Sequence, residues 1–290
     1  MIRFALVGNP NSGKTTLFNA LTGSTAHVGN WPGVTVDKKE GVYKKSSEQI
    51  SIIDLPGIYS LSPYSPEEVI SRNYILEEKP NCIINIVDAT NIERNLYLTT
   101  QLLEIDVPIV VALNMMDIVR KDGTKIDIKE LEKRIGIPVI EISALREDNV
   151  DELMEIAIKT SYTPRKAKTV LEGTALNHLI RDVEIAFKAM KVDHPLFHAV
   201  KIVENDELEI KNHNELQTIV DEFKHTFNDD VFGSDFEAIV ADARYKYITK
   251  HFSPTIKKNK QILDNIIYLG LRANADRIIN ERKQKDEKSV

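Results

Sequence analysis

Short apolar runs alternate with amphipathic segments over residues 1 to about 160. Strands buried on both faces are nearly continuous in apolar residues, and strand–helix alternation is typical of a mostly parallel, doubly wound α/β sheet. Ligands of such sheets bind at the carboxyl ends of the strands. The pattern predicts strands at Arg3–Val7, Ile50–Asp54, Cys82–Val87, Ile109–Asn114 and Val139–Ile142. It predicts helices at Thr15–Ala20, Pro66–Glu77, Tyr97–Ile105, Ile128–Ile135 and Val150–Thr160.

The pattern changes after about residue 164, where strand signals nearly vanish and apolar residues recur at helical spacing. Such stripes are typical of helices that face a core. The three stripes comprise Leu176, Leu179, Val183, Phe187 and Met190; Leu216, Ile219, Val220, Phe223 and Phe227; and Phe236, Ile239, Val240, Ala243, Tyr247 and Phe252. We predict an α/β domain over residues 1–164, a small all-helical domain over 165–270, and a charged, disordered tail or linker over 271–290.

Composition and charge are those of an ordinary soluble globular protein. Of the 290 residues, 42% are hydrophobic and 28% are charged. The net charge is −6, so the chain lacks the overall excess of positive charge that is typical of nucleic-acid-binding proteins. Cys82 is the only cysteine, which excludes an internal disulfide and a cysteine-based zinc site and suits a reducing compartment. The N-terminus enters a predicted strand without a signal peptide, and no apolar run approaches the about 20 residues that span a bilayer. We expect a soluble chain.

The segment between the first predicted strand and helix matches a phosphate-binding loop. Gly8 and Gly13 let the backbone curl so that N–H groups point at phosphate oxygens, and the helix N-terminus adds partial positive charge. Lys14 would reach the β- and γ-phosphates, and the Thr15 hydroxyl would bind Mg²⁺. The predicted nucleotide-binding residues here are Gly8, Asn9, Pro10, Asn11, Ser12, Gly13, Lys14, Thr15 and Thr16.

A second phosphate-side motif closes the strand that ends at Asp54. The Asp54 carboxylate would hold Mg²⁺ through water, and the Gly57 N–H would meet the γ-phosphate. Alone, Asp-x-x-Gly also suits a plain turn. Its position at a strand end after a phosphate loop favours the nucleotide interpretation, with Asp54, Leu55, Pro56 and Gly57 as predicted binding residues.

The predicted base-recognition residues end the fourth and fifth strands. Asp117 would accept hydrogen bonds from the N1–H and 2-amino group of guanine, a donor pair that adenine lacks. Asn114 would tie its loop to the phosphate loop, and the Ala144 N–H would meet guanine O6. Met115 stands where most guanine-nucleotide proteins carry lysine, so we expect weaker nucleotide affinity. The set is Asn114, Met115, Asp117, Ser143, Ala144 and Leu145, and it makes residues 1–164 a predicted GTP-binding domain.

The segment Gly29–Asp37, with two glycines and a proline, is interpreted as a mobile loop. Thr35 would give its hydroxyl to Mg²⁺ when a γ-phosphate is present, so the loop would order with GTP and relax after hydrolysis. Trp31 is interpreted either as part of this switch or as a packing anchor. The predicted nucleotide-binding residues of the loop are Gly33, Val34 and Thr35.

Phosphoryl transfer needs positive charge near the β–γ bridge and a positioned water. Ile58 occupies the place of the water-orienting glutamine of many related enzymes, and the segment Gly29–Asp37 offers no arginine. We hypothesise that Asn11, phosphate oxygens and loop carbonyls hold K⁺ in the role of an arginine finger. The alternative is that Asn11 only braces its loop. The predicted catalytic residues are Asn11, Lys14, Thr35 and Gly57.

Five stretches together resemble the cytosolic G-protein domain of FeoB, the prokaryotic ferrous-iron transporter family. They are Asn9–Ser12, Val28–Val36, Asp54–Leu61, Val87–Leu98 and Asn114–Asp117. The resemblance implies a slow GTPase that binds GTP/GDP, Mg²⁺ and K⁺, with the Gly29 and Trp31 carbonyls joining Asn11 at K⁺. It also implies a helical domain linked to nucleotide release.

The resemblance further implies control of Fe²⁺ passage through a membrane-spanning region of the same, longer protein, at the cytoplasmic face of the cell membrane. Assembly into a homo-oligomer is one arrangement that the sequence leaves open. Glu67 and Glu68 are either water-positioning or coupling residues, or a solvated helix face. His194 and His198 are interpreted as packing or helix-face residues, and no iron binding is assigned to this chain.

Two other functions remain open on the residues alone. One is a free-standing GTPase of ribosome assembly or tRNA modification, which predicts an appended basic RNA-binding module that the acidic balance disfavours. The other is a nucleotide-gated binding module with negligible hydrolysis.

Overall fold

The computed structural model describes residues 1–23, 26–63 and 65–259 of the chain. The predictions for residues 260–270 and for the tail 271–290 lie outside the described residues. Within those ranges, no helix is both long enough and apolar enough to cross a bilayer.

A seven-stranded sheet forms the centre of the described N-terminal part. Its strands are β1 (Ile2–Gly8), β2 (His27–Asn30), β3 (Asp37–Tyr43), β4 (Ile50–Asp54), β5 (Cys82–Asp88), β6 (Ile109–Asn114) and β8 (Val139–Glu141). Their order across the sheet is β2-β3-β4-β1-β5-β6-β8. Strands β4, β1, β5, β6 and β8 pair in parallel, whereas β2, β3 and β4 pair antiparallel. The predicted mostly parallel α/β sheet is therefore confirmed.

Helices cover both faces of this sheet and make up most of the later chain, as predicted. They are α1 (Lys14–Thr22), α2 (Pro66–Glu77), α3 (Ile92–Leu102), α4 (Met116–Lys121), α5 (Ile128–Ile135), α6 (Val150–Ser161), α7 (Asn177–Ala189), α8 (Pro195–Val203), α9 (Glu207–Asn212), α10 (Asn214–Thr226) and α11 (Phe236–Tyr247). A short antiparallel pair, β7 (Lys125–Ile126) and β9 (Ile256–Lys257), connects the N-terminal part to the end of the described chain.

Two element predictions need correction. The helix predicted at Tyr97–Ile105 begins and ends earlier, at Ile92–Leu102, because the chain leaves the helix through turn bonds from Glu104 N–H and Ile105 N–H. The segment Gly29–Asp37 is not all loop, since its ends belong to β2 and β3. Strands β2 and β3 were not predicted. Strand β2 is the exposed edge of the sheet, and β3 beside it is mostly polar and only partly buried, so neither shows a buried apolar run.

Apolar side chains form one core cluster on each face of the sheet and a third within the later helices. Phe252, predicted with a helical-domain stripe, packs instead in the sheet cluster together with Phe197 and Ile248. Met190 was predicted to face the core, but it follows the end of α7 and is 44% exposed. The helical part therefore shares a continuous apolar contact with the α2–α3 face of the sheet.

Candidate functional site

The phosphate-loop segment joins β1 to α1 at the carboxyl edge of the sheet. Asn11 and Gly13 both have left-handed backbones, with φ of 62° and 91°. A Cβ at Gly13 would lie 2.2 Å from Asn114 Nδ2, so the loop needs glycine there. Asn9 Oδ1 and Ser12 Oγ are buried without a hydrogen-bond partner, and such groups in a native loop call for a ligand or water.

Three polar side chains meet where β4 ends beside the start of α1. Thr15 Oγ1 donates to Asp54 Oδ2 at 3.0 Å, and Lys14 Nζ lies 3.6 Å from Asp54 Oδ1. Asp54 is only 5% exposed, and its Oδ1 accepts no hydrogen bond. A hydroxyl next to a buried, under-coordinated carboxylate oxygen fits Mg²⁺, which prefers oxygen ligands and keeps several waters.

The backbone after Asp54 lies directly on the phosphate loop. A Cβ at Gly57 would lie 3.1 Å from Pro10 N, and Ile58 N–H donates to Gly8 O at 3.1 Å. Ile58 itself is fully buried in the sheet core. The residue that takes the place of a water-orienting glutamine is therefore a core side chain that points away from solvent.

Two adjoining cavities of about 350 and 380 Å³ open at this edge and share Lys14 and Thr15. Asn11 and Met115 line the first, and Thr35 lines the second together with Asp54 to Gly57. The second also includes Val36, Asp37 and Lys39, which the sequence reasoning did not select. The structure thus brings the predicted phosphate, Mg²⁺ and γ-phosphate residues to one continuous surface.

The predicted base-side residues surround Asn114. Its Nδ2 donates to Ser12 O at 2.9 Å, so the expected tie to the phosphate loop is present. Its Oδ1 accepts from Ala144 N–H at 2.9 Å, so guanine O6 would have to share or displace that bond. Asp117 Oδ2 lies 3.3 Å from Nε of the exposed Arg146 side chain. Met115 adopts the left-handed conformation, with φ of 65°.

Of the remaining predicted residues, Thr16 lines the first cavity with the phosphate-loop residues. Ser143, which is buried, and Leu145, which is 81% exposed, lie in the segment after β8. Gly33 is exposed, and Val34 packs on the sheet core. Gly29 lies in β2.

Trp31 is a packing residue in this structure. Its ring is 9% exposed and lies edge-on to Tyr74 at 5.6 Å, with Lys38 Nζ 5.3 Å from the ring centroid. Among the described residues, neither Gly29 nor Trp31 lines the cavity that contains Asn11. Their predicted role at K⁺ therefore remains a prediction.

A buried polar network links the segment after Gly57 to the helical part, and sequence reasoning missed it. Arg72 of α2 donates to Leu61 O at 3.1 Å and to both carboxylate oxygens of Asp206, and it contacts Glu209. Lys201 donates to Ser62 Oγ at 2.9 Å. Because Arg72 and Asp206 are distant in sequence, no local pattern pairs them.

A second buried network holds α11 against α3. Arg244 is fully buried and donates to Glu104 at 2.9 Å and to Glu204 at 3.1 Å. Burial raises the pKa of Glu104. Burial also acts on Glu204, but the charges of Lys201 and Arg244 outweigh it and lower the pKa of that carboxyl group. The pKa values of the two carboxyl groups shift in opposite directions because Glu204 pairs with two cations and Glu104 with one.

Comparisons with protein families agree with this architecture. The family model described as "Ferrous iron transport protein B" matches residues 2–157, and the one described as "FeoB cytosolic helical domain" matches residues 173–257. The Fe(2+) transporter FeoB of Escherichia coli (strain K12) is 44% identical over 203 residues, which are 67% of this chain and 25% of the relative. The chain thus spans about a quarter of that relative's length.

Solved structures show the same similarity over more of the chain. A GDP-bound mutant of the S. thermophilus FeoB G-domain is 39% identical, with a TM-score of 0.80 over 89% of this chain and 100% of that one. The cytosolic domain of the T. maritima FeoB iron transporter in its GMPPNP form is 31% identical, with a TM-score of 0.78 and the same coverage.

Proposed function

Because this chain belongs to the FeoB family of ferrous iron transport proteins, we propose that it binds GTP at the carboxyl edge of its sheet and hydrolyses it. The observation that carries the proposal is the meeting of Lys14, Thr15 and Asp54, with an unsatisfied buried oxygen on Asp54. The similarity to relatives solved in GDP-bound and GMPPNP forms supports nucleotide binding by this chain.

In the proposed complex the phosphate loop wraps the β- and γ-phosphates. Backbone N–H groups donate to phosphate oxygens. Lys14 Nζ, which lies 3.6 Å from Asp54 Oδ1 in this structure, binds the phosphates instead. Thr15 and Thr35 would hold Mg²⁺ with their hydroxyls, and Asp54 would hold it through water. A bound Mg²⁺ would supply positive charge beside the phosphate oxygens. Gly57, already packed on Pro10, offers its N–H to the γ-phosphate.

Catalysis in this proposal depends on positioned charge, because Ile58 is a core residue. Asn11 is exposed at the rim of the cavity that Lys14 also lines, and its carboxamide oxygen is a hard ligand suited to K⁺. The cation would supply positive charge near the β–γ bridge when bound. Loop carbonyls, including those of Gly29 and Trp31, would complete the K⁺ shell once the segment between β2 and β3 closes on the nucleotide.

Guanine selection is proposed for Asp117. Its side chain is 13% exposed in the first turn of α4, two residues after Met115, which lines the first cavity. It would accept from the guanine N1–H and 2-amino group, and Met115 would cover one face of the base. Ser143, Ala144 and Leu145 would complete the base side of the site.

The wider role is also a proposal. We infer that residues 1–164 and 165–270 act as a GTP-binding and a helical unit that regulate Fe²⁺ passage through an attached membrane region, with the unit at the cytoplasmic face. The buried links from Arg72 and Lys201 to the segment after Gly57 support communication between nucleotide and helices. The acidic chain still disfavours the alternative of a ribosome or tRNA factor.

Single-turnover hydrolysis of GTP tests the enzymatic proposal. With protein in excess over GTP and Mg²⁺ present, we expect phosphate release to be faster in KCl than in NaCl by at least about tenfold, or ~1.4 kcal/mol of barrier. Equal rates in the two salts would refute the K⁺ role. Tight GTP binding without phosphate release in either salt would instead favour the nucleotide-gated binding module.

Asn11→Ala is expected to abolish stimulation by K⁺ while GTP binding stays largely intact, because the substitution removes one K⁺ ligand and no phosphate-binding N–H. The measurement is the KCl-to-NaCl rate ratio, together with GTP affinity from a fluorescent analogue. Asn19→Ala is the matched control, since Asn19 is exposed on α1 away from both cavities. A variant at position 11 that is still stimulated would contradict the assignment.

A further inference from the structure

Three side chains with metal-binding atoms meet in the helical part, far along the chain from the nucleotide site. They are His198 of α8, Glu209 of α9 and His213 at the junction of α9 and α10. One ligand atom from each lies within 4.8 Å of the others. His198 Nδ1 is already 2.8 Å from Glu209 Oε2. His194, the sequence neighbour of His198, does not join them and pairs with Asp106 instead.

Local charge at these residues favours a cation. Arg72 is balanced by Asp206, which receives two of its hydrogen bonds, so Glu209 retains a negative charge that Arg72 alone does not cancel. The Glu209 side chain is 2% exposed, so its carboxylate lies in a poorly solvated place.

Aromatic packing holds the two imidazoles in place. The Phe187 ring contacts both, at 5.5 Å from His198 and 5.0 Å from His213, and Phe197 lies 5.5 Å from His198. An apolar surround of this kind orients metal ligands and limits solvent at the ion. The His213 side chain is 20% exposed, and its Nδ1 lies 3.8 Å from Glu215 Oε1.

A cavity of about 380 Å³ reaches two of the three residues, His198 and Glu209, from solvent. Its lining includes Arg72, Lys79, Asp193, His198 and Glu209, with the ion pair of Lys79 and Asp193 at 2.6 Å. An ion therefore has an entry path, and the site does not need the helices to separate.

We propose that His198, Glu209 and His213 form a binding site for a divalent transition-metal ion. Two imidazoles and one carboxylate suit Fe²⁺, Co²⁺ and Zn²⁺ and leave further positions for water. Tetrahedral bonds of about 2.1 Å place ligand atoms about 3.4 Å apart, so the three atoms approach further when the ion binds. Arg72 of α2 donates to the other carboxylate oxygen of Glu209. The Glu209 carboxylate would therefore lie between the ion and α2.

Titration of the untagged, nucleotide-free protein with Co²⁺ in excess Mg²⁺ tests the site. The expected result is a saturable visible d–d absorption with one Co²⁺ per chain, which Zn²⁺ displaces. His213→Ala should weaken Co²⁺ binding at least about tenfold, since even the outer partners of metal ligands are worth 10- to 100-fold in affinity. His225→Ala, an exposed histidine on α10, is the matched control and should bind as the parent does.

Thermal unfolding without and with Zn²⁺ separates loss of binding from loss of folding. We expect parent and His225→Ala to gain thermal stability with the ion, because ligand that binds only the folded state stabilises it. His213→Ala should unfold cooperatively and gain none. Absence of a saturable d–d band in the parent, or equal Co²⁺ affinity in the two variants, would overturn the proposal. Neither readout involves nucleotide, so failure here is distinct from failure of the GTPase proposal.

Discussion

Replacement of Arg244 by alanine is expected to lower the free energy of unfolding by about 3–5 kcal/mol, because it leaves buried carboxylates without their cation. The guanidinium is fully buried and contacts Glu104, Glu204 and Thr100. Among the described residues, Glu104 pairs with no cation other than Arg244, whereas Glu204 also pairs with Lys201. Urea unfolding followed by circular dichroism gives the difference directly.

Arg181→Ala is the matched control for that experiment. Arg181 also has two acidic partners, Glu172 and Glu184, but its side chain is 42% exposed. Solvent screens such pairs, so the expected loss is below about 1 kcal/mol. Similar losses in the two variants would contradict the buried position of Arg244 between α3 and α11.

Asp117→Asn is expected to lower GTP affinity by about 100-fold or more and to create affinity for XTP. Two hydrogen bonds to a charged acceptor are worth about 1.5–3 kcal/mol each, and every 1.4 kcal/mol is tenfold in affinity. Asparagine keeps an acceptor for the N1–H but presents an amide donor, which matches the carbonyl at C2 of xanthine and repels the 2-amino group of guanine. Competition between GTP and XTP for a fluorescent nucleotide measures both changes.

Arg146→Ala is the control for the base-specificity experiment. Its side chain is 63% exposed and lies 3.3 Å from Asp117 in this structure, so its removal frees the carboxylate without altering the acceptor. We expect GTP affinity to stay within about threefold, because exposed pairs are worth little. Unchanged GTP affinity in Asp117→Asn, or no gain for XTP, would remove Asp117 from base recognition.

The polar links around Arg72 suggest how the two functional proposals meet. Gln101 of α3 accepts from Leu61 N–H at 2.6 Å and binds Ser60, while Arg72 holds Leu61 O. The segment that follows Gly57 is therefore fastened on one side to the sheet and on the other to the helical part. Arg72 thus connects Leu61, in the segment after Gly57, to Asp206 and Glu209 of the helical part.

The sequence alone determined the five parallel strands of the sheet and the loop between β1 and α1, because those signals are local. Buried parallel strands need continuous apolar runs, and a phosphate loop needs its glycines and lysine in a short span. Strands Ile50–Asp54 and Ile109–Asn114 and helices Pro66–Glu77 and Ile128–Ile135 were predicted with the bounds that the structure has. The contact of Asn114 with the phosphate loop followed from its place at a strand end.

Only the tertiary structure decided what depends on residues far apart in the chain. Strand β3 has no apolar signature, and Phe252 joined the sheet core rather than its helical stripe. The pairing of Arg72 with Asp206, of Arg244 with Glu104, and of His198 with Glu209 and His213 follows from how the helical part packs on the α2–α3 face. Buried charges must find partners wherever the fold supplies them, and no periodicity along the sequence records that choice.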